Sequence, residues 1–386
     1  MDKMTLSCIK ADIGSVGGHV TPSDGLLECV HDYMEENAPG IISDWDINWI
    51  GDDISLLMVH DHGENSTEVH KLALDCLNAG ADFARKQGLY GAGQDLDAEA
   101  FSGNVRGMGP AVSEIEFDKR NSEAFILFAA DKTDCGAFNL PFYLAFADPF
   151  HSPGLMLAKS MTEGFTFRII DVDHHDSYRT IELKAPADLY DLASLLRDNA
   201  RYHIESVWNT RSREVALRTS ADKCRLVDGK LKGKDDPIAI CRVQGDFPSS
   251  GEVVGPFRLG HYTGGAGRGS HATPLMPVCM GEIISFFDGP AMVMAKAYSV
   301  SNEGKLTEGV DLFDAPFWDG VRLKITDKFI TMREQGFSGP AMLNIHDLEY
   351  GGVVEKLHQL QGRFNIEKPG AAKQADKKAA KKKAKK

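Results

Sequence analysis

Lys234 stands directly before Asp235 and Asp236 in the stretch GKLKGKDDPI, residues 229–238. A lysine beside two acids is ordinarily a solvated ion pair. Beside a metal site it is also an amine whose neutral form can attack a carbonyl. Further acids close apolar runs: Asp12 ends TLSCIKAD, Asp52 and Asp53 fall between WDINWI and ISLLMVH, and Asp131 ends EAFILFAAD. A single acid at a strand end is a common turn former. Four separate runs that each deliver acid at one end, two of them as Asp-Asp, are harder to explain that way. Adjacent carboxylates repel, so a buried pair needs a compensating cation. Oxygen donors without cysteine suit Mg²⁺ or Mn²⁺ rather than zinc. Spacing alone leaves open whether these strand ends meet.

Three loops are built to approach an anion. GSVGGH (14–19) places glycines and His19 just after Asp12; YGAGQDL (90–96) brings Tyr90 and Gln94; FSGNVRGMGP (101–110) holds Gly103, Asn104 and Arg106. Glycine lets backbone N–H groups come close to phosphate oxygens. None of the three is a Walker loop or a dinucleotide fingerprint. A fourth loop, GGAGRGSHATPLMP (264–277), carries Arg268, Ser270 and His271, and by itself reads as a surface loop. HDHGE (60–64) and DVDHHD (171–176) look richer in metal ligands, but both fall where chain direction changes and are expected to be solvated turns. The aromatics of FYLAFADPF (142–150) are expected in the core or in a subunit contact.

The elements that must position these groups follow from periodicity. Alternating or continuous apolar runs predict strands over 5–12, 45–53, 54–60, 123–131, 165–172, 178–183, 237–243, 282–288 and 291–300. Apolar residues at 69, 72, 73, 76, 77 and 83 predict a helix over 66–87, and helices are also expected over 21–36 (with Ser23 as cap), 317–335 and 345–364. Several strands follow one another without a helix between them. That predicts an α/β chain of the α+β type, with large mixed sheets covered by helices, and argues against a doubly wound nucleotide-binding fold.

Composition limits the function classes. The chain has 386 residues, 42% of them hydrophobic and 26% charged, as in soluble globular proteins. No uncharged apolar run is long enough to predict a membrane span, and the N-terminus lacks the apolar core of a signal peptide. Seven scattered cysteines without a CxxC pair fit free thiols in a reducing cytoplasm. The net charge of −13 conceals a split: the last fourteen residues hold eight lysines and one aspartate, which leaves the preceding chain at −20. A body this acidic is a poor nucleic-acid binder and suits cations, or anions reached through them. We expect one folded domain over 1–368 and a solvated Lys/Ala-rich tail over 369–386.

Taken together, IKADIGSVGGH, GDD (51–53), LYGAGQDL, FSGNVRGMGP, ADKTDCGAFNLPFY, ADPF, GKDDP, RGSH followed by PLMP, DLFDAPFWD and LEY resemble the archaeal-type fructose-1,6-bisphosphate aldolase/phosphatase family. The matching stretches run from residue 8 to about residue 350. The resemblance implies a single four-layer α-β-β-α sandwich assembled as an octamer. It implies an enzyme of gluconeogenesis that condenses dihydroxyacetone phosphate with glyceraldehyde 3-phosphate and then removes the 1-phosphate, giving fructose 6-phosphate. By the same resemblance Asp12, His19, Asp52, Asp53, Gln94, Asp131, Asp235 and Asp236 are ligands to several Mg²⁺ ions. His19, Tyr90, Gly103, Asn104, Lys132, Arg268 and Asp288 contact substrate. Lys234 forms the Schiff base, and Tyr350 and Asp12 take part in the chemistry. Imine formation needs Lys234 neutral: two free aspartates would keep it charged, whereas two metal-bound ones do so far less.

Two positions depart from the pattern. The family reads GKYxGKDDP where this chain has Leu231, and RGSHYGP where it has RGSHATP. A leucine cannot exchange a proton. Unless Tyr350, Tyr90 or water substitutes, the carbon–carbon step would be slowed by about 10²–10⁴-fold, the usual size of a lost general acid/base. Three readings therefore remain open here: a bifunctional enzyme, a phosphatase with weak or no aldolase activity, and a non-catalytic binder of metal or sugar phosphate.

Overall fold

The computed structural model describes residues 2–96, 109–173, 178–221, 235–264, 272–283, 289–334 and 352–367. Two sheets build it. The small one contains β1 (Lys3–Asp12), β2 (Asp44–Ile50), β3 (Asp53–His60) and β4 (Ala111–Asp118) in the order β2-β3-β1-β4, all antiparallel. The large one contains β5 (Ser122–Asp131), β6 (Phe165–Asp171), β7 (Tyr178–Ala185), β8 (Tyr202–Asn209), β9 (Val215–Thr219), β10 (Ile238–Arg242), β11 (Tyr262–Gly264), β12 (Ala272–Pro277), β13 (Ala291–Ser301), β14 (Val310–Asp311) and β15 (Asn365–Glu367). Its path is β11-β12-β13-β5-β10-β9-β8-β6-β7-β15, with β14 paired to β13. The β12–β13 pair is parallel, so the sheet is mixed, as expected.

Alternation along β1 explains the layering. Ile9 and Ala11 share a core with Leu26, Val30 and Met34 of α1 (Asp24–Asn37) and with Val69, Leu72, Ala73, Cys76 and Leu77 of α2 (Thr67–Gln87). Met4, Leu6 and Cys8 point the other way, into the core between the sheets with Phe125, Leu127 and Ala129 of β5. Successive side chains of a strand face opposite sides, so one strand serves two cores. Both helices begin where the sequence predicts: the Ser23 hydroxyl accepts from Leu26 N and the Ser66 hydroxyl from Val69 N, and α2 stops at Gly88 in a left-handed C-cap.

The outer side of the large sheet carries α3 (Asn139–Ala147), α4 (Gly154–Leu157), α5 (Leu189–Leu196), α6 (Ser250–Val254), α7 (Pro316–Arg333) and α8 (Gly352–Gln361). Phe128 of β5 stacks on Phe257 at 5.1 Å and meets Phe142 of α3 edge-on at 5.5 Å. Each such buried ring contributes about 1.5–3 kcal/mol through burial alone. Phe142 and Phe146 are thus core, as expected for this stretch, whereas Phe150 is fully exposed. Sequence reading missed β4, β8, β9, β12, α3 and α5, and the short β11, β14, β15, α4 and α6. The helix α3, NLPFYLAFA, is apolar all round and so lacks the one-sided pattern that announces a helix. The expected strand over 282–288 falls largely outside the described residues, as does the tail beyond 367.

Candidate active site

The acids at the strand ends do meet. The antiparallel register sets Asp12, last residue of β1, directly opposite Asp53, first residue of β3. Gly51 and Asp52 form the turn between β2 and β3, where Gly51 has φ 53° and a Cβ on it would lie 1.6 Å from Asp131 Oδ2. Only glycine allows the small sheet to press its turn against the carboxylate of the large sheet. Asp131 ends β5, and Asp236 lies two residues before β10. Asp236 N donates to Thr133 O and Thr133 N donates to Asp236 Oδ1, both at 2.8 Å.

Two groups of ligand atoms result. Asp12, His19 and Asp52 form one; Asp53, Asp131 and Asp236 form the other, with the atoms of each within 4.8 Å of one another. Gln94 joins the first: a Cβ on Gly91 (φ 64°) would lie 3.1 Å from Gln94 Oε1 and 3.8 Å from His19 Cε1. Backbone bonds lace the two loops together, with Ser15 N donating to Tyr90 O at 2.8 Å, Gly93 N to Ile13 O at 3.0 Å and Asp95 N to Asp12 O at 3.1 Å. The Tyr90 ring meets the His19 ring edge-on at 4.9 Å and remains half exposed at the mouth of the site. Lys132 bridges the two groups, its Nζ donating to Asp52 Oδ1 at 2.5 Å and to Asp131 Oδ1 at 2.8 Å. Lys10 is hydrogen-bonded to Asp53 Oδ2 and reaches the Ala130 carbonyl at 3.3 Å.

Three of these side chains sit on strained backbone. His19, Lys132 and Asp236 have φ of 64°, 61° and 49°, a region in which non-glycine residues cost on the order of 1 kcal/mol or more. Surrounding hydrogen bonds hold them there.

Electrostatics makes the site a poor resting place for so many acids. Burial, then the charge of Asp52, pushes the Asp12 carboxyl well above the usual range. Burial likewise drives Asp131 up to about 7, against the opposing pull of Lys132, and burial with the Asp235 charge raises Asp236. Asp52 goes the other way: burial opposes ionisation, but Lys132 and His19 overcome it and hold the carboxyl well below its ordinary value. His19 is raised to about 9 despite burial, because its ring bonds both Asp12 and Asp52. Its Nδ1 lies 2.7 Å from Asp52 Oδ2 and 3.5 Å from Asp12 Oδ2, so its ring does between those carboxylates what a cation would do. Lys132 is raised by Asp131 and Asp52, again against burial.

These residues fit a hard divalent cation. Among the described residues seven carboxyl groups (Asp12, Asp52, Asp53, Asp95, Asp131, Asp235, Asp236) gather around three basic ones, Lys10, Lys132 and His19. Gln94 Oε1 and Asp131 Oδ2 are buried acceptors without a hydrogen-bond partner. Buried acceptors are normally satisfied, and an excess of buried negative charge is expensive unless a cation offsets it. Oxygen donors with a single imidazole match Mg²⁺ or Mn²⁺.

The chain matches the sequence model of the family described as "Fructose-1,6-bisphosphatase" over residues 3–365, nearly its whole length. The chain belongs to the fructose-1,6-bisphosphatase family. Among members of this family it is similar to the fructose-1,6-bisphosphate aldolase/phosphatase of Thermus thermophilus, 48% identical over 363 residues that cover 94% of this chain and 100% of the relative. It is also similar to the proteins of that name from Methanothermobacter marburgensis and Moorella thermoacetica. Each is 40% identical over 364 residues, covering 94% of this chain and 99% and 94% of the relative, respectively.

Of the residues singled out in the sequence, Asp12, His19, Tyr90, Gln94, Asp52, Asp53, Asp131, Lys132 and Asp236 converge, with Asp235 adjoining them. Gly103, Asn104, Leu231, Lys234, Arg268, Asp288 and Tyr350 lie outside the described residues. Sequence reasoning missed Lys10, whose signal was a charge at the fourth inward-facing position of β1 after Met4, Leu6 and Cys8. It also missed Asp95, whose Oδ2 accepts from Asp12 N at 2.9 Å, and Thr133, which fastens Asp236. The two ligand-rich stretches are corrected in one respect. Among their described residues none joins the site, but His60 and Asp171 are buried rather than solvated: His60 bonds Ser7, and Asp171 pairs with Arg179 and Arg201.

Proposed function

We propose that this chain is a Mg²⁺-dependent bifunctional fructose-1,6-bisphosphate aldolase/phosphatase, forming the bisphosphate from dihydroxyacetone phosphate and glyceraldehyde 3-phosphate and hydrolysing it to fructose 6-phosphate. The carrying observation is the pair of buried carboxylate groups at the junction of the two sheets, one of which contains Asp236, two residues from Lys234. In this reading Asp12, His19, Asp52 and Gln94 hold one Mg²⁺, and Asp53, Asp131, Asp235 and Asp236 hold others. Bound there, Mg²⁺ supplies neutralisation of phosphate oxygens and activation of water.

The chain's own groups do the rest. Lys132, fixed by Asp52 and Asp131, presents positive charge toward a phosphate. Tyr90, Gly103, Asn104, Arg268 and Asp288 position the sugar phosphate. The Lys234 amine attacks the ketone carbon of dihydroxyacetone phosphate and water leaves, giving the imine that activates the neighbouring carbon. Tyr350 exchanges protons in the carbon–carbon step. The reading extends to a cytoplasmic homo-octamer working in gluconeogenesis, with no nucleic-acid or membrane partner. The acidic body supports the lack of a nucleic-acid partner; among the described residues no helix is long and apolar enough to cross a membrane.

The test measures both reactions. Phosphate release from fructose 1,6-bisphosphate should stop with EDTA and return with Mg²⁺; no release under any metal condition leaves only a binding protein. Borohydride with dihydroxyacetone phosphate should trap an adduct on Lys234. Leu231 supports a second reading, a phosphatase whose aldolase step is weak. There Leu231→Tyr raises the aldol rate with phosphatase unchanged, and an unchanged aldol rate assigns the proton transfer to another group.

A further inference from the structure

Lys10 occupies a place where its chemistry is out of keeping with its neighbours. Met4, Leu6 and Cys8 precede it on the same face of β1, all in the apolar core between the sheets, and Lys10 is itself only 1% exposed. An ammonium group buried among apolar side chains is destabilising unless it is paired. Here it is paired at the junction of the sheets. Its Nζ bonds Asp53 on the small sheet and the Ala130 carbonyl on the large sheet, one residue before Asp131, and its charge also acts on Asp236. It therefore touches or influences every strand that contributes to the second carboxylate group, through partners other than those of Lys132, which spans Asp52 and Asp131.

We propose that Lys10 is a positioning residue: a fixed internal counter-ion for the Asp53–Asp131–Asp236 group that holds Asp53 in register with the end of β5 and limits how tightly that group takes up divalent cations. This rests on the metal-dependent reading given above. A cation built into the fold shares Asp53 with any mobile cation, so the site keeps its geometry without metal and releases metal and product phosphate more readily.

The test compares wild type with Lys10→Met and Lys10→Arg. Each is unfolded thermally in EDTA and in graded Mg²⁺, with Mg²⁺ affinity measured by calorimetry and steady-state phosphate release measured alongside. In Lys10→Met we expect a lower melting temperature in EDTA and a larger rise on adding Mg²⁺ than in wild type. We also expect about 3–10-fold tighter Mg²⁺ binding, and a kcat about tenfold lower with KM within twofold. Lys10→Arg, which keeps the charge, should retain the wild-type Mg²⁺-induced rise. An equal Mg²⁺-induced rise in Lys10→Met and wild type would reduce Lys10 to a structural residue and overturn the proposal, as would a Lys10→Arg that behaves like Lys10→Met. If Lys10→Met folds only with Mg²⁺ present, that metal requirement supports the proposal. Wild type showing neither a Mg²⁺ response nor phosphate release would instead overturn the functional reading beneath it.

Discussion

Two buried polar clusters share the strand β1, and they behave oppositely. At its end, Lys10 and Asp12 face the large sheet and join the carboxylate site. Midway, Ser7 faces α2 and joins His60, His70 and Glu114. The Ser7 hydroxyl donates to Glu114 Oε1 at 2.7 Å, so His60 Nε2–H donates to Ser7 Oγ at 2.8 Å, and His60 Nδ1 accepts from His62 N at 3.3 Å. His70 Nε2 adds 2.9 Å to the same Glu114 oxygen, and Asn65 N fills the other at 2.7 Å. The polar atoms of His60 and Glu114 in this second cluster are paired, and its single carboxylate meets donors only. The first cluster has surplus carboxylates, unpartnered Gln94 and Asp131 oxygens, and strained backbone. Burial of polar groups by itself therefore does not mark a functional site; unmatched acceptors and unbalanced charge do.

That contrast can be broken experimentally, starting with the largest effect. Asp131→Asn should lower phosphate release by about 10²–10³-fold, the size seen when one preorganised electrostatic group is lost, while the variant still folds; a fall under fivefold would remove Asp131 from the site. Gly51→Ala should follow, because its methyl group displaces the Asp131 carboxylate. We expect roughly a hundredfold loss of phosphate release with weaker Mg²⁺ binding, read by kinetics and calorimetry.

Glu114→Gln addresses the other cluster. It should cost about 2–4 kcal/mol in urea unfolding, the range for breaking a buried charged network, and leave kcat within twofold. A large catalytic loss would mean that the two clusters communicate along β1.

The last expected effect is comparable in size but spread over pH. Burial lowers His60 from 6.5 to about 4, and its Nδ1 already accepts a backbone N–H, so protonation has no room there. The unfolded chain then binds the proton more readily, so stability is fully present above about pH 6.5 and is lost as pH falls toward 4. The total is about 2–4 kcal/mol, at roughly 1.4 kcal/mol per pKa unit. Replacing His60 by Gln should flatten that slope in urea melts between pH 7 and 4.5; an unchanged slope assigns the acid sensitivity elsewhere.

Much of the site was legible in the sequence, and for a local reason. Asp12, Asp131 and the Asp52–Asp53 pair each sit at the end of an apolar run, and a strand's direction follows from its own side-chain pattern. Ser23 announced its helix in the same way, through a bond within four residues. Lys10 was readable too, as a charge interrupting an apolar face, but without the large sheet opposite there was nothing to say what it touched. HDHGE misled because a histidine-rich turn and a buried histidine network have the same letters; Ser7, which bonds His60, lies 53 residues away in sequence.

By itself, then, the sequence determined the mixed α and β class, the strand ends that carry acid, the helix caps and the family. The tertiary structure decided that the ends of β1, β3, β5 and the approach to β10 meet at one junction. It sorted the acids into two groups, turned Gly51 against Asp131, and buried two lysines among them. Those outcomes depend on which sheet faces lie against each other, a consequence of long-range packing that no short window of sequence contains.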